Sequence, residues 1–432
     1  MQPRRVGVRS AARSVVDTIR RHKPDYHIIL YMGLLMLLGL VVIYAIGPQR
    51  ANFLNALEGT EFTDSFFFMK QAVSLLAALG MFALMATLPY KLISKYAPKI
   101  LMIGFIACAL LVILGNILDL SQVALCTKGA CRWFIMPGLG TIQPAEILKF
   151  GILVFTAGFL GARVQQGLVN DVHKTLIPLG MMLGLAMLFV IVFQKDMGTG
   201  ISLVAILITM LVAAGIKWKL LGSIGIGLVV IGLLLVVTAP HRMERVATFI
   251  QGDAAAADND DNHHINQAKI AIGSGGFFGL GIGNSVQASG YLPEAINDSV
   301  FAVMGETFGF VGLVAILALF TGLLLRLLKI YDHLGPPELR LLVAGVFGWL
   351  GSHVMLNIAA MIGLVPLTGI TLPLLSFGGT SMVFIVGALG LAFQLSRYTS
   401  HRANKETDNE DSRSRRGVGR PRYASSRGSS RM

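Results

Sequence analysis

The sequence predicts an all-α polytopic membrane protein with about ten transmembrane helices. Its 432 residues are 54% hydrophobic and only 14% charged, whereas soluble proteins carry about 25% charged residues. The apolar residues also stand in long runs, such as Ile28–Ile46 and Leu220–Val237. Such runs approach or reach the roughly 20 residues that are needed to cross about 30 Å of hydrocarbon. Together these observations exclude most soluble enzymes, disordered proteins and small disulfide-rich scaffolds.

The apolar runs follow one another in ten segments. No small-residue cleavage site follows the first run, so we interpret it as a transmembrane helix and not as a removable signal peptide. A long connection follows the seventh run, which predicts a large extracytoplasmic loop between spans 7 and 8. The predicted spans are 28–47, 69–88, 100–118, 144–162, 176–193, 198–216, 220–238, 299–325, 341–362 and 379–396.

Positive charge is distributed unevenly along the chain. The net charge is +13, a surplus that in a soluble protein would suggest a nucleic acid partner. With the N-terminus inside, the inner segments carry 27 of the 36 Lys and Arg residues and the outer loops carry 7. This is the asymmetry of the positive-inside rule. We therefore predict that both termini are cytoplasmic, that membrane lipid is a partner, and that nucleic acid is not.

The two ends of the chain differ from the rest in composition. Residues 1–27 are predicted to form a basic cytoplasmic tail, and residues 28–397 to form the membrane domain. Residues 398–432 hold Arg, Ser and Gly with almost no large apolar residues. This second basic tail cannot bury a core and is expected to be disordered, either as a solvated topology anchor or along anionic lipid.

Two outer segments, about 119–143 and about 239–298, are too long to be simple connectors, and long loops are often functional. The second contains a glycine-rich run from Gly273 to Gly283. Glycine permits tight turns and close backbone approach to a ligand, but contact between helices explains many such runs.

Asp298 lies at the end of the second loop, directly before the apolar run that begins at Ser299. One interpretation is an N-cap, because an Asp side chain accepts hydrogen bonds from the free backbone N–H groups of a helix start. The other is a partly desolvated carboxylate at the outer membrane surface that acts as a general base. The two roles are compatible.

A second group of polar residues includes Arg132-Trp133 and the segment Gln143 to Phe150. Pro144 suits the first turn of a helix. Glu146 and Lys149 are spaced i and i+3, so they are neighbours on one helix face, and we expect them to pair because an isolated charge in the membrane is costly. The pair is either purely structural or a support for the outer loops.

Two further segments combine polar residues with turn formers. Charges stand in a tight outer turn from Gln194 to Gly200. The Pro and Gly residues between Pro366 and Ser381 predict a re-entrant or broken-helix segment, which a membrane protein tolerates only where the backbone is buried or lines a cavity.

All seven outer Lys and Arg residues run against the topological bias, and five of them are candidates for a shared role: Arg132, Lys195, Arg242, Arg245 and Lys269. They either face an anionic ligand such as a lipid-linked pyrophosphate or are simply solvated.

Two other groups also leave alternatives open. The acidic and histidine residues at 258, 260, 261, 263 and 264 are metal ligands or, more simply, solvated loop residues. Cys126 and Cys131 form a disulfide, which an outer location permits, or remain two free thiols.

These segments together resemble the SEDS family (shape, elongation, division and sporulation), the polytopic peptidoglycan glycosyltransferases, over residues 28–397. The form of the motif at 291–295 and Thr368-Gly369 look more like the division member than its elongation paralogue. The matching residues are Arg132-Trp133, Gln143 to Lys149, Gln194 to Thr199, Ile270 to Gly276, Tyr291 to Ala295 with Asp298, and Leu372 to Ser381.

The resemblance implies polymerisation of lipid II, an undecaprenyl-pyrophosphate disaccharide-pentapeptide, into β-1,4-linked glycan at the outer face of the cytoplasmic membrane, at the division septum. It makes Asp298 the catalytic general base, and the leaving pyrophosphate would be stabilised by nearby cations or by a divalent cation such as Mg²⁺ or Mn²⁺. It also implies a class B penicillin-binding protein and other division membrane proteins as partners. The supporting residues are Arg132, Glu146, Lys149, Lys195, Asp196, Arg242, Arg245, Gln267, Ser274, Glu294, Ser376, Thr380 and Ser381.

The sequence departs from the family pattern beside the candidate base, where Asn297 and Ser299 replace the usual Thr and Phe. Glu306-Thr307 replaces an acidic pair. Two alternative functions remain: a transporter that moves a lipid-linked precursor across the bilayer, and a structural scaffold for division partners.

Overall fold

The computed structural model describes residues 23–120, 122–127, 130–136, 140–237, 243, 246 and 260–399, without the side chains of residues 58 and 260–262. Nearly all of the two predicted cytoplasmic tails lies outside these residues. So do Arg242, Arg245 and most of the acidic part of the large loop.

The described residues form eleven helices of eight or more residues and one small sheet. The helices are α1 His27–Glu58, α2 Phe66–Thr87, α3 Tyr90–Leu111, α4 Pro144–Gln165, α5 Ile177–Met187, α6 Met197–Ala213, α7 Trp218–Val237, α8 Asp260–Ser274, α9 Val300–His333, α10 Pro337–Met361 and α11 Thr380–Leu395. Two of them are extended by wider, π-helical turns: α3 by Val112–Ile117, and α5 by Val172–Leu176 before it and Leu188–Phe193 after it.

Each of the ten predicted spans corresponds to a helix. Within the described residues, nine helices are long and apolar enough to cross a membrane, and the tenth, α6, is a shorter apolar helix of 17 residues. The helices α1 and α9 continue past the predicted span ends, to Glu58 and His333. Hydropathy marks only the part of a helix that lies in hydrocarbon, so it misses a helix that continues into water.

The bundle packs through close helix contacts. Helix α2 packs against α11, α3 against α4, and α6 against α10. Between α3 and α4, a Cβ on Gly104 would lie 2.7 Å from the Cα of Leu148, so only glycine permits this approach. Helix α7 differs from all of these, because none of its residues is buried.

The connection between α3 and α4 contains a three-stranded antiparallel sheet that the sequence analysis did not predict. Its strands are β1 Ala124–Thr127, β2 Ala130–Met136 and β3 Gly140–Ile142, in that order. Cys126 and Cys131 are joined in a disulfide across β1 and β2, which decides between the two alternatives left open above.

The segment between α10 and α11 is non-helical, as its Pro and Gly residues predict, and its part from Leu372 to Ser376 is buried. Leu372, Leu374 and Leu375 are buried, and Leu374 takes a positive φ of 66°. The chain therefore crosses the interior here without a helix, and its backbone groups need partners from neighbouring elements.

Candidate functional site

Asp298 lies at the start of α9 and is partly buried. The helix begins at Val300 with Ser299 as its capping residue, so Asp298 stands one residue further out than the N-cap position that the sequence predicted. The turn before it is closed by Glu294, whose carbonyl accepts from the backbone N–H groups of Asn297 and Ser299. The carboxylate is thus carried by a short, internally bonded turn and not by a free loop.

Asn357 of α10 fixes this turn to the broken segment between α10 and α11. Its Nδ2 donates to the carbonyl oxygens of Asp298 and Ile370, both at 2.7 Å, and the side chain is only 1% exposed. A third bond joins the same two segments, from the Phe377 N–H to the Ile296 carbonyl at 2.8 Å.

The broken segment also passes directly beside the carboxylate of Asp298. Gly369 has a φ of +69°, and a Cβ built on it would lie 3.7 Å from Asp298 Oδ2. A side chain at this position would be strained because of the positive φ. The Cβ distance is that of an ordinary van der Waals contact, so the segment lies directly against the carboxylate.

Helix α8 packs against the same turn through its two histidines. His264 Nε2 lies 2.5 Å from Ser299 Oγ, and the Ser299 hydroxyl donates to the Pro293 carbonyl at 2.9 Å. His263 Nε2 lies 3.2 Å from the Tyr291 carbonyl. Ser299, which replaces the Phe usual in the family, is thus bonded to His264 and to the Pro293 carbonyl. Both histidines contact the turn before α9.

The predicted pairing of Glu146 with Lys149 is confirmed. Lys149 Nζ lies 2.8 Å from Glu146 Oε1, and the two side chains are 0% and 2% exposed. The same ammonium lies 5.1 Å from the centre of the Trp349 ring, a cation–π contact between α4 and α10. Trp349 and Asn357 are eight residues apart on α10, so they share one helix face about 12 Å apart.

The turn from Gln194 to Gly200 is fixed to the sheet connection. Asp196 caps α6 by accepting from the Thr199 N–H at 2.9 Å, and its other oxygen accepts from Gln143 Nε2 at 3.0 Å. Arg132 donates to the carbonyls of Gln194 and Lys195, at 3.1 and 2.8 Å.

The contacts of Arg132 bear on its predicted role toward an anionic ligand. A guanidinium that bonds two carbonyls of a turn holds that turn in place. Arg132 therefore stabilises the 194–200 turn through these two bonds.

The remaining predicted site residues fall into three groups. Ser376 is buried and accepts from the Leu372 N–H, Thr380 bonds the Thr141 carbonyl, and Ser274 bonds within α8. Glu294 accepts from Asn297 Nδ2 in the turn beside Asp298, while Gln267 and Ser381 are partly buried. Lys195 and Lys269 are exposed, and Arg242 and Arg245 lie outside the described residues.

All four predicted motifs meet at one end of the bundle. The sheet connection contacts the 194–200 turn through Gln143, and Thr141 of β3 accepts from Thr380 at the start of α11, directly after the broken segment. The 194–200 turn reaches the broken segment where Gly198 lies against Ile370. The broken segment then bonds the turn of Asp298 directly, from the Phe377 N–H to the Ile296 carbonyl, and through Asn357, which donates to both.

Asn357 was missed by the sequence analysis. The available signal was a buried polar side chain inside an otherwise apolar run, which in a membrane span is a functional candidate by default. No three His, Cys, Asp or Glu side chains in the described part of the chain stand together in a way that suits a metal ion.

Comparisons with known proteins agree on one family. Stage V sporulation protein E of Bacillus subtilis is 32% identical over 393 residues, which cover 89% of this chain and 100% of that protein. A probable peptidoglycan glycosyltransferase FtsW of Aliivibrio salmonicida is 32% identical over 336 residues, covering 76% of this chain and 79% of its own.

Two solved structures share the fold. A chain from a peptidoglycan synthase complex has a TM-score of 0.67 at 23% identity, covering 87% of this chain and 98% of that one. The rod shape determining protein RodA of Thermus thermophilus has a TM-score of 0.62 at 23% identity, with 88% and 98% covered. Since the model of the cell cycle protein family FtsW/RodA/SpoVE matches residues 25–401, the chain belongs to that family, as the resemblance to SEDS proteins indicated.

Proposed function

We propose that the protein is a peptidoglycan glycosyltransferase that polymerises lipid II into β-1,4-linked glycan at the outer face of the cytoplasmic membrane, with Asp298 as the general base. The observation that carries the proposal is the position of Asp298, only partly buried, at the start of α9, where Asn357 bonds its backbone and Gly369 of the broken segment lies beside its carboxylate. The names of the FtsW relatives support the same activity.

The proposed chemistry needs a base because a sugar hydroxyl is a poor nucleophile. Asp298 would take the proton of the acceptor's 4-hydroxyl as its oxygen attacks the anomeric carbon of the donor, which requires a separation of about 2.6–3.2 Å in the reacting complex. The pyrophosphate leaves from the opposite face, so a single displacement converts an α-linked donor into a β-1,4 bond.

The leaving pyrophosphate gathers negative charge, and fixed positive charge nearby lowers the barrier. Among the described residues, exposed Lys195 and Lys269 are available for this role, because Arg132 is engaged with two carbonyls. Lys269 lies over Gly363, where a Cβ would stand 2.7 Å from its Cε. It therefore projects from α8 beside the end of α10.

The cellular setting follows from the same proposal. The positive-inside asymmetry supports cytoplasmic termini and an outward-facing site. The likeness to a chain of a peptidoglycan synthase complex supports a class B penicillin-binding protein as the crosslinking partner. Several relatives named FtsW support action with other division proteins at the septum, and an elongation-type role is the alternative.

Purified protein mixed with lipid II in detergent tests the activity. Asp298→Asn, which keeps the size of the side chain and removes the base, is expected to abolish glycan polymer on a gel. Asp64→Asn alters an exposed Asp in the connection between α1 and α2 and is the matched control, with full polymer expected. Normal polymer from Asp298→Asn would remove this residue from the mechanism.

A lipid-linked precursor transporter is the alternative function. Alternating access requires a binding site near the membrane midplane, whereas the four motifs meet at one end of the bundle. A flipping assay in liposomes separates the two functions, because the glycosyltransferase proposal expects no Asp298-dependent movement of lipid II. A scaffold would be inactive in both assays.

A further inference from the structure

The glycine-rich run has an unusual surface for a loop. No charged residue occurs between Lys269 and Glu294. At its tip, which we define as residues 276–283, the side chains of Phe277 and Phe278 are 61% and 80% exposed. Leu280 and Ile282 are also exposed. An aqueous loop would present polar groups here, so this surface requires a partner.

The tip is bonded to α9 through backbone groups that a break in that helix leaves free. Gly309 has a φ of 65° and a ψ of −166°, which interrupts α9. The N–H groups of Phe310 and Val311 donate to the carbonyls of the tip at 3.0 and 3.2 Å. In return, Leu280 and Gly281 donate to α9 carbonyls at 2.9 and 3.0 Å.

These reciprocal hydrogen bonds give partners to backbone groups of both the tip and α9. Irregular backbone is tolerated at membrane depth only where its polar groups have partners. The side chain of Glu306 extends the attachment, since it accepts from the Ser285 hydroxyl at 2.5 Å and from the Val286 N–H at 3.0 Å. The tip is therefore held on α9 as part of the bundle.

The depth of the tip in the membrane can be estimated from two membrane-spanning helices, α9 and α1. On α9, the continuous helix between the break at Gly309 and Arg326 covers residues 310–325 and rises about 24 Å at 1.5 Å per residue. The break therefore lies within about 6 Å of the outer edge of a hydrocarbon layer about 30 Å thick. On α1, the apolar run ends at Ile46, and Gln49 Nε2 then donates to the Gly283 carbonyl at 3.2 Å. Both helices set the tip at the edge of the hydrocarbon, level with the first turns of the α9 span.

The aromatic surface of the tip is continuous with the exposed face of α9. The rings of Phe277 and Phe310 are 5.7 Å apart, those of Phe277 and Phe278 are 5.3 Å apart, and Phe310 is itself exposed. Since that face of a membrane span contacts lipid, we infer that the tip inserts into the leaflet that borders the candidate site and contacts its acyl chains.

Insertion has a consequence for the site. The chain runs from the tip through Ser285 and Tyr291 to Asp298, and it is bonded to α9 at Glu306 on the way. A tip inserted in lipid would hold the chain between the tip and Asp298 at a constant height above the hydrocarbon. The head group of a lipid-anchored sugar lies at that height.

Spin labels on single cysteines test the insertion in vesicles of phosphatidylethanolamine and phosphatidylglycerol. Cys126 and Cys131 are joined, so Cys108→Ala alone gives a background without thiols. Four variants follow: Phe278→Cys in the tip, Phe310→Cys at the same level on α9, Leu317→Cys two turns deeper, and Thr63→Cys in the exposed connection after α1. Each label reports its collisions with oxygen, which dissolves in hydrocarbon, and with a water-soluble nickel chelate.

The label at 278 is expected to favour oxygen over nickel as strongly as the label at 310 and less strongly than that at 317, while the label at 63 favours nickel. A label at 278 that behaves like the one at 63 would overturn the inference. A label hidden from both reagents would also overturn it, because protein would then cover the tip. Ile282→Cys repeats the measurement if the first variant fails to fold, and neither reading depends on the glycosyltransferase activity.

Discussion

The amide of Asn357 holds the backbone of Asp298 against the segment that follows α10. One nitrogen donates to the Asp298 and Ile370 carbonyls at 2.7 Å each, so two parts of the chain that are far apart in sequence share a single donor. The side chain is buried among apolar helices. Because the bond reaches the backbone and not the carboxylate, Asn357 would position the proposed base without taking part in proton transfer.

Asn357→Leu is expected to lower the rate of glycan synthesis by about 10- to 100-fold with little change in KM, because it moves the base and leaves substrate contacts in place. It also removes two hydrogen bonds and leaves two buried carbonyls without a donor, at about 1–3 kcal/mol for each group. Initial rates and thermal unfolding of purified protein measure both effects. Asn116→Leu is the control, since Asn116 makes one exposed bond to the Phe193 carbonyl. An unchanged rate would contradict the positioning role.

The Glu146–Lys149 pair predicts a strong asymmetry between single and double substitutions. Lys149→Met leaves a carboxylate buried and alone, and is expected to cost about 3–5 kcal/mol of stability. Glu146→Gln with Lys149→Met removes both charges and should recover most of this loss. Thermal unfolding in detergent measures the difference, and polymer yield measures the effect on the outer loops. A double variant with full expression and activity would show that the pair does not support the site.

Arg132 is expected to act on stability and not on substrate affinity. Arg132→Lys keeps the charge but cannot bond both carbonyls as the guanidinium fork does, so it should destabilise the protein nearly as much as Arg132→Gln does. The loss expected is about 1–3 kcal/mol, with KM for lipid II unchanged in both variants. A KM that rises in Arg132→Gln and recovers in Arg132→Lys would instead indicate contact with the anionic substrate.

The break in α9 predicts that Gly309 tolerates no side chain. A Cβ on this residue would lie 2.3 Å from the Gly279 nitrogen, and its φ is positive. Gly309→Ala should therefore destabilise the protein by about 1–3 kcal/mol and loosen the tip. Gly33→Ala in α1 is the matched control, because no atom lies within 4 Å of its Cβ position. Equal melting temperatures for the two variants would contradict the constraint at Gly309.

Much of this architecture can be predicted from local sequence. The spans follow from apolar runs of hydrocarbon length, and the Glu146–Lys149 pair follows from their i, i+3 spacing. The broken segment before α11 follows from its Pro and Gly residues. In each case the information lies within a few residues of the feature, where helix geometry alone decides which groups are neighbours.

The features that were missed depend on distant partners. The bond between Asn357 and Asp298 joins residues 59 positions apart, and no local pattern pairs them. Arg132 carries the same charge whether it meets a phosphate or two carbonyls, so its sequence position cannot decide its partner. The small sheet escaped prediction because strands of three to seven residues give little periodic signal.

The two hydrogen bonds of Asn357 also have a consequence for the order in which the site forms during translation. The chain emerges from its N-terminus, and its domains assemble as they are made, so Asp298 is synthesised well before Asn357 and Ile370. A nascent chain arrested after α9 carries the carboxylate on its internally bonded turn but lacks Asn357 and the broken segment, which fix that turn to the bundle. The proposed base is thus locked in place only when translation has almost reached the final helix, and no prematurely terminated product contains a completed site.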